Sequence, residues 1–379
     1  MPTVYINAIA KFLPNDPVPN DRMEEVLGIV NGVPSRARSI VLRNNRITSR
    51  HYAIGTDGRP THNNAELTME AINQLLVRSG ADASAIDILS CGTSTPDQLL
   101  PAHASMVHGL WQNRPMELNS ASGICTSGMN ALKYAYMAIA TGSAKQAVCT
   151  GSERVSSWLR ADKFNNESER LAALEKNPLI AFEKDFLRWM LSDGAGAMLL
   201  TDRPNPDGLS LAIRWVDGIS YAHELEPCMY AGAIKADNGS LLPWSDAHPE
   251  EWLENSIFAI KQDIKLLESH IIPKGVESIQ EILRRHELAA SEIDHFLPHI
   301  SSYFFSDRLT AAFKKAGIGI PEDNWFINLH KIGNVGSASS YIQLEELFNT
   351  RPLKRGEKIL LSVPESGRFS YVYALLEVT

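Results

Sequence analysis

Two copies of one layered α/β unit are what this sequence predicts, on three observations. Short apolar runs such as Ala195–Leu200 and His295–Pro298 alternate with segments of about 15 residues that carry helical apolar spacing. The sequence also matches itself. Shifted by 207 (294 − 87), residues 72–95 fall on 279–302 without a gap, and eight of the 24 positions are identical, among them Ile86/Ile293 and Asp87/Asp294. Finally, with a shift of 209, residues 116–125 fall on 325–334, and each stretch ends in a small-residue turn that opens a helix.

Each matched copy reads as an amphipathic helix, a short polar turn and a buried strand. A further strand follows in each, at Gln146–Thr150 and Lys358–Val363. A period near 200 is too long for a solenoid, so duplicated halves are expected. The polar, Pro-containing loop Thr201–Gly208 is the expected join, giving halves 1–200 and 201–379. Ile219–Trp252, rich in aromatic and polar residues, has no counterpart in the first half and is expected to be a cap insertion.

Bulk properties narrow the function. The chain has 379 residues, 44% of them hydrophobic, and a formal net charge of −8. An acidic balance argues against nucleic acid as the main partner. The first residues lack the basic segment and apolar run of a signal peptide, and no apolar stretch is long enough to span a membrane. The four cysteines, Cys91, Cys125, Cys149 and Cys228, form no CxxC pair, which suits a reducing cytoplasm without disulfides or a metal site.

Cys125 is the expected nucleophile. It lies in Ser122-Gly123-Ile124-Cys125-Thr126-Ser127-Gly128, where small neighbours let substrate approach the sulfur. Met129, Leu132, Tyr136 and Ile139 then mark one face of a helix. A cysteine at such a helix tip is expected to have a depressed pKa and to carry an acyl group. Cys91, Cys149 and Cys228 read as inert. His299 follows the strand His295–Pro298 and is delivered to its carboxyl end, where α/β sheets build sites. Asn334 lies in Gly333-Asn334-Val335-Gly336-Ser337, the turn that mirrors the one holding Cys125. A pseudo-twofold axis between the halves would bring Asn334 towards the sulfur.

The blocks SGICTSG, LPHISS and GNVGSAS, with LSDGAGAMLL at 191–200 and Ser366-Gly367-Arg368-Phe369-Ser370, resemble those of the β-ketoacyl-ACP synthase III family. That resemblance implies the thiolase fold, five-layered αβαβα, in a homodimer without metal or cofactor. It implies a catalytic Cys125, His299 and Asn334, with the backbone N–H groups of Cys125 and Gly367 as oxyanion hole. The substrates would be acyl-ACP or acyl-CoA thioesters. Docking of an acyl carrier protein would use Arg308, Lys314 and Lys315 on the helix after His299.

The sequence also departs from the family. Ile40 and Asn44 stand where a Trp and an Arg ahead of Arg50-His51 help to hold coenzyme A, with Arg43 and Arg46 nearby. Glu365 replaces an aromatic; such a carboxylate is more often solvated or salt-bridged, but here is a possible base on an acidic α-carbon. These departures favour a condensing enzyme of secondary metabolism, such as a ketosynthase-cyclase forming dialkylresorcinol or cyclohexanedione rings. The rivals are a housekeeping synthase III, a type III polyketide synthase, a cysteine thioester hydrolase and a non-enzymatic partner subunit.

Overall fold

The computed structural model describes residues 2–32, 34–35, 38–163 and 187–379. Nine strands form one mixed sheet: β1 (Val4–Phe12), β2 (Ile88–Thr93), β3 (Glu117–Ser122), β4 (Gln146–Glu153), β5 (Gly194–Thr201), β6 (Leu211–Ser220), β7 (His295–Pro298), β8 (Lys358–Glu365) and β9 (Ser370–Val378). Their spatial order is β7-β8-β9-β6-β1-β5-β4-β2-β3. Read from each outer edge inwards, the order is the same twice: β3-β2-β4-β5-β1, and then β7-β8-β9-β6, with the segment at Trp325 flanking β7 as β3 flanks β2. Parallel pairing on the outside and antiparallel pairing within also repeat.

The matched residues repeat their contacts. Ile86 and Ile293 are both fully buried. Asp87 accepts the N–H of Lys145 at 2.8 Å, and Asp294 accepts the N–H of Lys358 at 2.8 Å, so each aspartate ties the neighbouring parallel strand at its start. One-turn 3₁₀ helices at Ala83–Ala85 and Ala290–Glu292 precede β2 and β7 and are also 207 apart (290 − 83).

Six helices complete five layers. α1 (Asn64–Ser79) and α2 (His103–Trp111) cover one outer face, and α4 (Ile264–Arg285) and α5 (Tyr303–Ala316) cover the other. α3 (Ser127–Ala140) and α6 (Ser339–Thr350) lie between the two halves of the sheet. Local chemistry sets the helix ends: Asn63 and Glu66 form a reciprocal cap at the start of α1, and Gly80 at φ 63° ends it.

Strand alternation decides which layer each side chain enters. In β9, Val372, Ala374 and Leu376 face the central helices, whereas Tyr371, Tyr373 and Leu375 face α4 and α5. In β5, Met198 and Leu200 face inwards, and Ala197 and Leu199 face α1. β1 breaks this rule once. Val4, Ile6 and Ile9 face the centre, whereas Ala8 and Ala10 face α1, because a register shift between Ile6 and Ala8 resets the parity at Asn7. The extra residue is put to use: Asn7 donates to Thr201 Oγ1 at 2.8 Å and accepts from Ser210 Oγ at 2.8 Å.

The region 219–252 is drawn into small sheets. Met229–Tyr230 pairs with Lys261–Gln262, Ala233–Lys235 pairs with Leu241–Pro243, and a short helix spans Pro249–Glu254. Trp252 packs edge to face against Trp244 and against Phe258, which lies just beyond the region.

The central layer is held at close quarters. A Cβ on Gly128 at the start of α3 would stand 2.2 Å from the carbonyl oxygen of Ser337, just ahead of α6. Under the 209 shift (337 − 128) these two residues are equivalent. Gly128→Val should therefore cost about 3 kcal/mol, the upper part of the range for overpacking a filled core. Urea denaturation measures this, and an unchanged midpoint would refute the tight crossing.

Candidate active site

Cys125 and His299 follow strand ends, and Asn334 lies in the turn that precedes α6. Cys125 lies between β3 and α3, in a turn closed by the Ser127 N–H and hydroxyl, both donating to the Ile124 carbonyl at 3.2 and 2.7 Å. His299 directly follows β7, and its backbone N–H donates to the Ser362 carbonyl of β8 at 2.8 Å. Asn334 is fixed by backbone bonds to Met190 and Ser192, at 2.9 and 2.8 Å.

Asn334 is also oriented at its side chain. Oδ1 accepts the Gly336 N–H at 2.9 Å, which leaves the amide nitrogen as the outward donor. Behind it, Arg50 is fully buried, donates to the Trp189 carbonyl at 2.5 Å and packs its stem against Gly333. Burial lowers the Arg50 pKa to about 10. The His51 N–H donates to Ser192 Oγ at 2.8 Å. Arg50-His51 is thus a foundation for the Asn334 turn. Ser192 links the two, a role that sequence reasoning passed over although the residue adjoins Asp193 in the DGAGA block.

The electrostatics correct one expectation. The helix-tip position of Cys125 suggested a depressed thiol pKa. Instead, burial, and then the negative charges of Glu365 and Glu153, push it well above the ordinary value. Cys91, Cys149 and Cys228 are buried and are pushed by burial up to about 12, which fits inert thiols. His299 is 5% exposed, and burial lowers its pKa to about 4, so its imidazole is neutral at physiological pH.

The last loop adjoins the nucleophile turn. A Cβ on Gly367 would come 2.7 Å from Ile124 Cδ1, so a side chain there would displace the tip of Ile124, next to Cys125. Glu365, half-buried at the end of β8, forms no salt bridge among the described residues; its Oε2 accepts the N–H groups of Ile124 and Thr126 at 2.9 and 3.2 Å. Glu153, at the end of β4, is fully buried and accepts the Ser337 N–H at 3.0 Å. Sequence reasoning missed Glu153, although its place in the duplicated unit matches that of Glu365.

His299 forms a wall of two cavities. One, of about 300 Å³, is bordered by Asn328, Leu329 and Ile342. The other, of about 580 Å³, lies between α4, α5 and the sheet, and is lined by Leu267, Ile271, Phe305, Leu309 and Phe313. Pro364 also borders the larger cavity, and its neighbour Glu365 holds the nucleophile turn.

Of the expected docking residues, Arg308 pairs with Glu268 at 2.6 Å and Lys314 with Glu322 at 2.5 Å, and Lys315 is exposed. Ile40, Arg43, Asn44 and Arg46 are exposed on or next to one short helix, and Arg46 pairs with Asp307 of α5 at 2.7 Å. Among the described residues, no helix is long and apolar enough to cross a membrane.

Residues 283–375 match the family model for the 3-oxoacyl-[acyl-carrier-protein] synthase III C terminal, and residues 50–180 match the thiolase N-terminal domain. The chain belongs to the β-ketoacyl-ACP synthase III-like branch of the thiolase superfamily. As a member of this branch it is an acyltransferase of ketosynthase type. It is 26% identical over 383 residues to a β-ketoacyl-[acyl-carrier-protein] synthase III of Clostridium perfringens strain SM101, covering 100% of both chains. Solved structures establish the thiolase fold. The tetronic acid condensing enzyme AbyA1 superposes with a TM-score of 0.75 at 21% identity, covering 99% of each chain. OleA of Xanthomonas campestris gives 0.70 at 18%, covering 99% of this chain and 98% of that one.

A pH dependence follows for this synthase III homologue. An unfolded imidazole protonates near pH 6.5 and the buried His299 only near 4. Between those values the unfolded chain binds the additional proton, so stability falls as pH drops from 6.5 to 4. The contribution is on the order of 3 kcal/mol. Urea titrations at pH 7 and pH 5 should lose less stability in His299→Asn than in the wild type, and equal losses would contradict this.

Proposed function

We propose that this enzyme joins two acyl thioesters through an acyl-Cys125 intermediate. The observation that carries the reading is the convergence of strand ends and helix tips from both halves around one turn: Glu365 of β8 on Ile124 and Thr126, and Gly128 of α3 on Ser337.

In the first step the Cys125 sulfur bonds to the carbonyl carbon of the first thioester, and that thioester's C–S bond breaks. The thiol proton passes to the departing sulfur. Neutral His299 is the acceptor suited to relay it. In the second step the α-carbon of another thioester becomes an enolate by giving up a proton, or a carboxylate as CO2, and attacks the acyl-Cys125 carbonyl. The C–C bond forms, the acyl C–S bond breaks, and the Cys125 sulfur takes up the released proton, or one from water where CO2 is lost, to return as the thiol. His299 and the Asn334 amide donate to the enolate oxygen of that second thioester. The N–H groups of Cys125 and Gly367 hold the oxyanion of the tetrahedral intermediate, donors of a kind worth about 3 kcal/mol each. The largely apolar lining of the cavity beside His299, with Leu267, Ile271, Phe305, Leu309 and Phe313, suits an acyl chain.

A specialised role in secondary metabolism, in the manner of the ketosynthase-cyclases, is favoured over initiation of fatty acid synthesis. Ile40 and Asn44 offer coenzyme A neither an aromatic face nor a guanidinium, and Glu365 supplants an aromatic beside the nucleophile. The segment 219–252, whose Trp244 and Trp252 pack with Phe258 beyond it, caps the site. An acyl carrier protein docks along α5, where Lys315 is its most available cation. The enzyme works as a homodimer, for which the outermost strand β3 offers an edge.

Intact mass spectrometry after incubation with a panel of acyl-CoA and acyl-ACP thioesters should show one acyl adduct, abolished by Cys125→Ala. An adduct that persists in that variant would sink the assignment. Narrowing the cavity with Leu309→Trp should cut turnover of long-chain substrates about tenfold relative to acetyl, roughly 1.4 kcal/mol. Equal effects on both would place the acyl chain elsewhere.

A further inference from the structure

Glu365 and Glu153 occupy one position of the duplicated unit. β4 and β8 have eight residues each, and both end on a glutamate, 212 apart (365 − 153) as their first residues are (358 − 146). Their registers agree: Ala147 lies opposite Ile88 of β2, and Ile359 lies opposite His295 of β7. Each carboxylate crosses into the other half. Glu153 accepts the Ser337 N–H, and its Cγ lies 2.9 Å from where a Cβ on Gly336 would stand. Glu365 Oε2 accepts the N–H groups of Ile124 and Thr126 and the Thr126 hydroxyl, at 2.9, 3.2 and 2.5 Å, and lies 3.4 Å from a Cβ on Gly123.

N–H groups of a tight turn that converge on one oxygen form an anion-binding nest. The two backbone donors on Glu365 flank Cys125, whose own N–H lies between them. α3 has no side-chain cap of its own, so this carboxylate also meets the positive end of the helix. We propose that Glu365 is the positioning residue of the nucleophile turn, fixing the backbone around Cys125 as Glu153 fixes the mirror turn beside Asn334. All three donors meet Oε2, so the positioning role does not use Oε1.

The arrangement has an electrostatic side. The charged groups acting on the Cys125 sulfur are Glu365 at the end of β8 and Glu153 at the end of β4. Both disfavour the thiolate. Cys125 therefore rests as a thiol. Glu365 trades a reactive resting sulfur for a rigid turn.

The inference rests on Cys125 as nucleophile, and its test separates the two. Iodoacetamide alkylation of Cys125, followed against pH by mass spectrometry, needs no acyl substrate. Glu365→Gln keeps an acceptor oxygen and removes the charge. It should shift the alkylation profile to lower pH by roughly one unit, about a tenfold faster reaction at pH 7.5. Glu365→Ala should lower kcat for acylation about a hundredfold, and Glu365→Gln should restore most of that rate; thermal melts check that both variants fold. A Glu365→Gln profile that coincides with wild type, or a Glu365→Ala variant that acylates at the wild-type rate, would overturn the proposal. So would a Glu365→Gln enzyme that acylates normally but cannot condense, because that would make Glu365 a base. If the alkylation profile shifts and no acyl adduct ever forms, the positioning role stands and the nucleophile assignment falls.

Discussion

The site depends on how closely two backbones approach where Gly128 meets the carbonyl oxygen of Ser337. A side chain there would push α3 away from the turn that precedes α6, and with it Cys125 from the half that carries His299 and Asn334. The Tyr341 hydroxyl, donating to the Gly128 carbonyl at 2.8 Å, closes the same crossing from the other side. Small residues in both blocks, SGICTSG and GNVGSAS, thus serve packing first and chemistry second. The central layer is thin because its helices start almost in contact.

The buried polar groups follow from that proximity. Where two helix tips converge, their unpaired N–H groups are shut off from water and need acceptors. Glu153 and Glu365 supply them from opposite directions. Burial raises the Glu153 pKa, and donors from Ser94, Thr95 and Ser337 lower it in turn. Asp193 plays a related part nearby: it takes the N–H groups of Ala53 and Ser156 at 2.7 and 2.9 Å, and burial lifts its pKa to about 6. Carboxylates here act as fasteners between segments remote in sequence.

Much of the fold was legible in the sequence because duplication leaves paired identities. Ile86/Ile293 and Asp87/Asp294 match since each pair does one job twice, filling the core and fastening the next strand. The strand that delivers His299 could be placed from its apolar run, whereas the strand read as Gln146–Thr150 runs on to Glu153. The parity change at Asn7 could not, because a bulge leaves no mark in composition. The direction of the Cys125 shift was also hidden. It depends on two carboxylates that arrive from strands 28 and 240 residues away (153 − 125; 365 − 125), and a local motif carries no record of them. Glu365 read as a solvated charge or a base for the same reason.

The short contact between β1 and β6 has one more implication. Only Val4–Ile6 pairs with Leu211–Ile213, yet that ladder makes a single continuous sheet from the two repeats. The ancestral units are thus welded along three residues at the amino end of the chain. Neither repeat could be excised as an autonomous module without baring a raw seam of unpaired amides.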